Sequence, residues 1–124
     1  MSSPLVLAAV LAVLIAIVHS SLGERYILVR LFRRENLPKL FGGVEFTKNT
    51  LRFAWHLTSV AWCGLAAVLV VLAGSEGVSA PRLARVVSIT FGVTALLALV
   101  GSKGRHLSWI VFLAIALLAW WGAA

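Results

Sequence analysis

A series of long apolar segments separated by short polar connections constrains this chain more than any other feature. The first segment is an unbroken apolar run from Leu5 to Val18, and small and polar residues extend it to about residue 23. Three comparable segments follow. A helix that crosses a bilayer needs about 20 predominantly apolar residues, so the predicted spans cover residues 4–23, 51–73, 81–100 and 107–122. The sequence therefore predicts a single all-α domain of residues 1–124, an integral membrane antiparallel four-helix bundle.

Composition excludes a water-soluble domain. Hydrophobic residues make up 61% of the 124 residues and charged residues only 12%, whereas soluble domains have about 25% charged residues. The net charge of +7 comes from 11 Lys and Arg against 4 Glu. Because these basic residues flank apolar spans, membrane orientation and anionic headgroups explain the charge, and we expect no nucleic-acid partner.

The basic residues are distributed unequally between the two sides of the predicted membrane. Nine of the 11 lie in or beside the first and third connections, and only Arg82 and Arg85 lie on the other side. Cytoplasmic loops carry such an excess of Lys and Arg. This distribution predicts that residues 24–50 are cytoplasmic and that both termini lie outside the cytoplasm. A cleaved signal peptide is disfavoured because the residues before Leu5 include no Lys or Arg.

The first connection contains an amphipathic segment from Glu24 to Glu35. One helical face carries its apolar residues, which are Ile27, Leu28, Leu31 and Phe32. The pattern is typical of a helix in the headgroup layer or of a cytoplasmic extension of the first span. The alternative is a solvated loop whose charges only set the orientation. We predict contacts with anionic lipid headgroups from the arginines of this segment: Arg25, Arg30, Arg33 and Arg34.

Three histidines, His19, His56 and His106, fall near the same predicted inner boundary of the membrane. The second span has one polar stripe at helical spacing, formed by Arg52, His56, Ser59 and Cys63. Small residues on the first span allow close helix packing, so we expect His19 and His56 to face one another. Imidazole ligates metals and carries protons. His19 and His56 are therefore candidate haem ligands, and all three histidines are candidate ligands of a divalent transition metal.

Other interpretations of the histidines remain open at the level of sequence. His19 or His56 could transfer protons, or each could simply anchor the interface by hydrogen bonds to Ser20, Glu24 or a lipid phosphate. All four glutamates lie in predicted connections, unlike those of four-span proton-coupled multidrug exporters, so a small transporter is only an alternative. Motifs such as HExxH or a nucleophile elbow are absent. The sequence thus identifies no catalytic residue and favours a non-enzymatic accessory protein that binds lipids, copies of itself or a larger membrane complex.

Two short motifs resemble those of small, uncharacterised four-span proteins of the bacterial inner membrane. They are His19-Ser20-Ser21-Leu22-Gly23-Glu24-Arg25 and Leu51-Arg52-Phe53-Ala54-Trp55-His56-Leu57-Thr58. The resemblance implies a multi-pass protein of the bacterial inner membrane. It implies no activity.

Overall fold

The computed structural model describes residues 2–124, and all regular secondary structure in that range is helical. The elements are α1 (Ser3–Leu22), a π-helical segment (Gly23–Leu28), α2 (Val29–Leu31), α3 (Glu45–Ala73), α4 (Ala80–Gly101) and α5 (Ser108–Trp121). The all-α prediction is confirmed.

The first connection begins as a continuation of the first helix. Together α1, the π-helical segment and α2 form one helix, Ser3–Leu31. The sequence left three arrangements open for this segment: a separate helix in the headgroup layer, an extension of the first helix, or a solvated loop. The structure shows the extension of the first helix. The π turn, which inserts one extra residue into the helical repeat, disturbs the predicted apolar face. Leu28 is 2% exposed, whereas its neighbour Ile27 is 48% exposed.

The rest of the first connection ends in a tight turn before α3. Leu40 and Gly43 exchange backbone hydrogen bonds of 2.9 and 3.3 Å. The two residues between them, Phe41 and Gly42, have φ angles of 53° and 87°, a left-handed conformation that costs phenylalanine more than glycine. The helix α3 then begins at Glu45, six residues before the predicted span, so Lys48 and Arg52 lie in its first two turns.

Each long helix packs against its neighbour in the chain. Ser2 donates its N–H to the Ala73 carbonyl and Ser59 Oγ donates to the Ala16 carbonyl, so α1 packs against α3. Close pairs also join the remaining neighbours: Gly64 with Thr90, Phe53 with Gly101 and Ser88 with Ala116. Among residues 2–124, α1 has no close backbone contact with α4 or α5. The long helices therefore lie in a row in chain order, with α3 and α4 in the middle.

Small side chains fill the interior and large ones cover the outside. Eight of the ten buried apolar residues are alanines, whereas most leucines, isoleucines and valines of α1 and α5 are exposed. Small residues at helix interfaces and an apolar surface are typical of membrane proteins. Three helices are long and apolar enough to cross a membrane: Ser3–Leu31, Glu45–Ala73 and Ala80–Gly101. Helix α5 is apolar but has 14 residues, about 21 Å at 1.5 Å per residue.

Candidate functional site

The imidazole of His56 joins α3 to the end of α1 through both of its ring nitrogens. His56 Nδ1 lies 2.9 Å from Ser20 Oγ, and His56 Nε2 lies 3.2 Å from Glu24 Oε2. Ser20 and Glu24 are four residues apart in one continuous helix, so both side chains reach the same face of the neighbouring helix. The His56 side chain is 26% exposed and that of Glu24 33%, so the contacts form in a partly enclosed environment.

Further hydrogen bonds extend this contact in both directions. Toward the N-terminus of α1, Ser20 Oγ donates to Ser59 Oγ at 2.8 Å, and Ser59 Oγ donates to the Ala16 carbonyl at 2.9 Å. Toward the other end, the Arg52 guanidinium binds both carboxylate oxygens of Glu24, at 3.2 Å from Nε and 2.9 Å from Nη2. We call the connected side chains the polar network: Arg52, Glu24, His56, Ser20 and Ser59.

The hydrogens in the polar network allow two protonation patterns. Glu24 is an acceptor when ionised, so His56 Nε2 carries a hydrogen in both patterns. If Nδ1 also carries one, His56 is a cation and Ser20 accepts its hydrogen while donating to Ser59. If His56 is neutral, the Ser20 hydroxyl turns and donates to Nδ1. The two patterns differ by one proton on Nδ1, and in the neutral pattern the Ser20 hydroxyl hydrogen points at a ring nitrogen that can accept it.

His19 lies in a separate aromatic environment. Its ring stacks on Trp55 at a centroid distance of 4.5 Å and meets Trp62 edge-on at 4.9 Å. Trp55 Nε1 donates to the His19 carbonyl at 3.1 Å. His19 Nε2 is buried and has no hydrogen-bond partner within residues 2–124. His19 thus packs α1 against α3 but does not hydrogen-bond to the polar network.

Gly23 makes this close packing sterically feasible. A Cβ atom built on Gly23 would lie 2.2 Å from Trp55 Nε1, far inside van der Waals contact. The π-helical segment begins at the same residue, and such segments are frequent at functional sites. Gly23 therefore lets the indole of Trp55 lie directly over the helix backbone, between His19 and the polar network.

His106 lies elsewhere, in the turn between α4 and α5. Its Nδ1 is 2.8 Å from Ser108 Oγ, and its ring contacts Phe46 and Phe53. The three histidines are thus not brought together. No group of three His, Cys, Asp or Glu side chains within residues 2–124 is placed to hold a metal ion. Since Ser20 and Glu24 occupy both nitrogens of His56, the arrangement also gives no support to a haem held by His19 and His56.

An apolar groove of about 530 Å³ lies over α3, between α1 and α4. Its few polar side chains include three members of the polar network, Ser20, His56 and Ser59, and its walls are mainly aliphatic. The wall residues from α3 and α4 include Val60, Ala67, Val86, Ile89, Val93 and Leu97. Small-molecule sites have such a volume and such a lining, apolar with a few placed polar groups.

The four arginines predicted to bind lipid surround the end of the first helix. Arg25, Arg30, Arg33 and Arg34 are all exposed. The guanidinium groups of Arg25 and Arg30 lie over the Tyr26 ring, 5.5 and 5.7 Å from its centroid. This placement leaves their charges accessible to anionic groups, and lipid contact stays a prediction.

Sequence reasoning identified His56 and its stripe on α3 but not its role at the centre of a network. The interfacial interpretation named Ser20 and Glu24 as hydrogen-bond partners, and the structure confirms both for His56. It missed Ser59 and Arg52 as further members, although the spacing of Arg52, His56 and Ser59 placed all three on one face. The pairing of α1 with α3 in register, which aligns Ser20 with Ser59, has no signal in the sequence of either helix alone.

In comparisons with known proteins, no family model, no curated protein and no solved structure matches this chain.

Proposed function

We propose that this protein is a multi-pass protein of the bacterial inner membrane that binds a single-chain lipid in the groove between α1, α3 and α4. The observation that carries the proposal is the distribution of polarity in this groove. Its walls are aliphatic, while Ser20, His56 and Ser59 lie together at the end nearest the charged pair of Glu24 and Arg52. An acyl chain matches the walls, and a head with hydrogen-bonding oxygens matches that end.

The charge distribution supports an orientation for this ligand. Nine of the 11 Lys and Arg belong to the side of the molecule on which the polar network lies, the side that we propose to be cytoplasmic. The head of the lipid then lies at the inner membrane boundary and its chain extends toward the bilayer centre. Arg25, Arg30, Arg33 and Arg34 extend the same surface and would hold anionic headgroups around it.

We further propose that α5 is a fourth span and that α1, α3, α4 and α5 form an open antiparallel bundle, in which, among residues 2–124, each helix packs only on its neighbours in the chain, with both termini outside the cytoplasm. Helix α5 is shorter than the roughly 30 Å hydrocarbon core, and a short span is accommodated by local thinning of the bilayer. Trp120 and Trp121 are exposed at its end, where indoles favour the membrane boundary. An alkaline phosphatase reporter fused after Ala124 should be active. A reporter active only as a cytoplasmic fusion would overturn this topology.

Photochemical crosslinking tests the groove. The protein in vesicles is irradiated with a palmitic acid analogue that carries a diazirine near its chain end, and the labelled peptides are identified by mass spectrometry. We expect labels on the groove walls. Val93→Trp fills the groove, and we expect it to lower the labelling by at least about tenfold, equivalent to about 1.4 kcal/mol.

Leu96→Trp is the matched control, because Leu96 is exposed on the same helix and does not line the groove. It should leave the groove labelling unchanged. Equal labelling of both variants, or labels spread over the whole outer surface without enrichment in the groove, would refute specific binding.

A further inference from the structure

We infer that Ser20, His56 and Glu24 form a nucleophilic centre that transfers the acyl group of a lipid ester. This inference rests on the proposed function, since the acyl chain of the ester would lie in the same groove. Ser20 would be the nucleophile, His56 its general base, and Glu24 the group that holds the imidazole. The substrate class is a carboxylic ester, or thioester, of a single-chain lipid.

The distances meet the requirements for an activated hydroxyl. A nucleophile and its base must lie within about 2.6 to 3.2 Å, with the base oriented by a third group. Ser20 Oγ lies 2.9 Å from His56 Nδ1, and Glu24 Oε2 lies 3.2 Å from Nε2. Hydroxyl, imidazole and carboxylate are thus connected in the order that such centres use. Here the hydroxyl is at Nδ1 and the carboxylate at Nε2, and either nitrogen can accept a proton when the other carries one.

The location of Ser20 distinguishes this centre from hydrogen bonds that only hold two helices together. Ser20 and His56 both line the groove, so a carbonyl group inside the groove can approach the Ser20 hydroxyl. The second histidine and serine pair in the chain provides an internal contrast. His106 and Ser108 lie 2.8 Å apart, but they are two residues apart in a turn. Within residues 2–124, no carboxylate hydrogen-bonds to His106, and the pair does not line the groove.

The polar network supplies each proton transfer in the reaction. As Ser20 Oγ attacks the ester carbonyl carbon, its proton passes to His56 Nδ1, and the carbonyl oxygen becomes an oxyanion. When the tetrahedral intermediate collapses, the bond to the leaving oxygen or sulfur breaks, and His56 returns the proton to that leaving group. A water molecule or an acceptor alcohol then attacks the acyl carbon on Ser20 and gives its proton to His56 Nδ1. The bond between that carbon and Ser20 Oγ breaks, His56 returns the proton to Oγ, and a fatty acid or a new ester leaves.

Two further residues would assist without reacting. Ser59 Oγ is 2.8 Å from Ser20 Oγ, so its hydroxyl can turn from the Ala16 carbonyl to the oxyanion, a contribution of the kind that donors make in acyl transfer. Arg52 is a positioning residue, because it holds both oxygens of Glu24. The balance of charge also favours the reaction, since Glu24 faces the imidazole as it becomes a cation.

Covalent labelling with a long-chain alkyl fluorophosphonate tests the inference on the whole protein in detergent or vesicles. An activated serine displaces fluoride from the probe, forming an Oγ–P bond, and the serine proton leaves with the fluoride. We expect one adduct, mapped to Ser20 by mass spectrometry, and none in Ser20→Ala. Ser21→Ala is the matched control, because Ser21 is the adjacent, exposed serine of the same helix, and it should label at the unaltered rate.

The positioning groups are tested by separating rate from binding. His56→Gln should lower the maximal labelling rate by about 100-fold or more. Glu24→Gln should also lower the maximal labelling rate. The probe concentration that gives half of the maximal rate should change little. A loss of fold would alter the maximal rate and that concentration together. A label on Ser20 that is independent of His56 would overturn the inference.

The same experiment distinguishes the inference from the proposed function. If the diazirine lipid labels the groove of the unaltered protein but the fluorophosphonate does not modify Ser20, lipid binding stands and the nucleophilic centre is refuted. If neither probe reacts in the groove, both are refuted. A fluorophosphonate adduct on Ser20 that Val93→Trp abolishes would support both.

Discussion

The α1–α3 interface and helix α4 use polar side chains differently. On α4, Ser88 Oγ donates to the Ala116 carbonyl of α5 at 2.7 Å, and the hydroxyls of Thr90 and Thr94 donate to carbonyls four residues earlier on their own helix. Between α1 and α3, side chains bond to side chains across the interface, from Arg52 to Ser59. Only the α1–α3 interface joins several side chains of the two helices in one connected series, which requires those helices to be held in one register.

The difference indicates which hydroxyl groups of this protein are placed to exchange a proton. A hydroxyl bonded to a carbonyl of its own helix is satisfied locally, and that carbonyl is too weak a base to take up its proton. A hydroxyl bonded to an imidazole has a partner that can accept its proton. Hydrogen bonds between membrane helices stabilise by only about 0.6 kcal/mol on average, so stability alone is a weak reason for a charged residue and a histidine at the α1–α3 interface.

One glycine in each interface gives the largest expected contrast. Gly23→Ala places a Cβ 2.2 Å from Trp55 Nε1, and Trp55 cannot move freely because it stacks on His19 and donates to its carbonyl. We expect a loss of about 1–3 kcal/mol, the usual range for overpacking. Thermal or denaturant unfolding in mild detergent measures the change.

Gly92→Ala is the counterpart on the other side of the molecule. The nearest atom to its added Cβ is that of Ala116, at 4.0 Å, so the methyl group fits. Alanine is a better helix former than glycine by about 0.8–1.0 kcal/mol, and we expect unchanged or increased stability. Similar losses from both substitutions would show that the two interfaces are equally tight and would remove the contrast.

A double-mutant cycle on Ser20→Ala and His56→Ala measures the coupling across the α1–α3 interface. The two side chains are in direct contact, so their effects on the free energy of unfolding should not add. We expect a coupling of about 0.6 to 1.7 kcal/mol, the range found for hydrogen bonds between membrane helices. Ser88→Ala paired with His56→Ala should be additive, because Ser88 lies at the α4–α5 interface. A coupling near zero for Ser20 and His56 would contradict the hydrogen bond.

Sequence alone predicted the helical class because periodicity and length are local properties. Helix packing is not local. Three contacts depend on the register of two helices that the long first connection separates. They are Ser20 with Ser59, Trp55 with Gly23, and His56 with Glu24. The small residues of α1 predicted that His19 and His56 face one another. In the structure, aromatic rings pack against His19 and hydrogen bonds hold His56, a difference that the spacing of small and polar residues does not predict.

A smaller effect is expected from Arg52→Lys. An ammonium cannot reproduce the two-point contact of the guanidinium with Glu24, nor its position 4.9 Å over the Phe32 ring. Because the Arg52 side chain is 46% exposed, solvent screens the pair, and we expect a loss of only a few tenths of a kcal/mol. Arg33→Lys, at an exposed position of the first connection, is the control and should not change stability. A loss above 1 kcal/mol for Arg52→Lys would show that this end of the polar network is structural.

The smallest effect is expected at the opposite end of the molecule, where Glu76 and Arg82 form an ion pair beside the start of α4. The hydrogen bond from Arg82, together with its charge, lowers the pKa of Glu76. The folded carboxyl thus releases its proton more readily than the unfolded one, and the pair stabilises the fold above the ordinary glutamate pKa of about 4.3. That contribution is lost as the pH falls through the lowered pKa of the folded state. Glu76→Gln should therefore lower the thermal midpoint slightly at pH 7 and not at acidic pH, with a smaller difference at high salt. A difference that persists in acid would mean that Glu76 stabilises the fold by packing and not by charge. Its exposed position predicts the opposite, a role of charge alone.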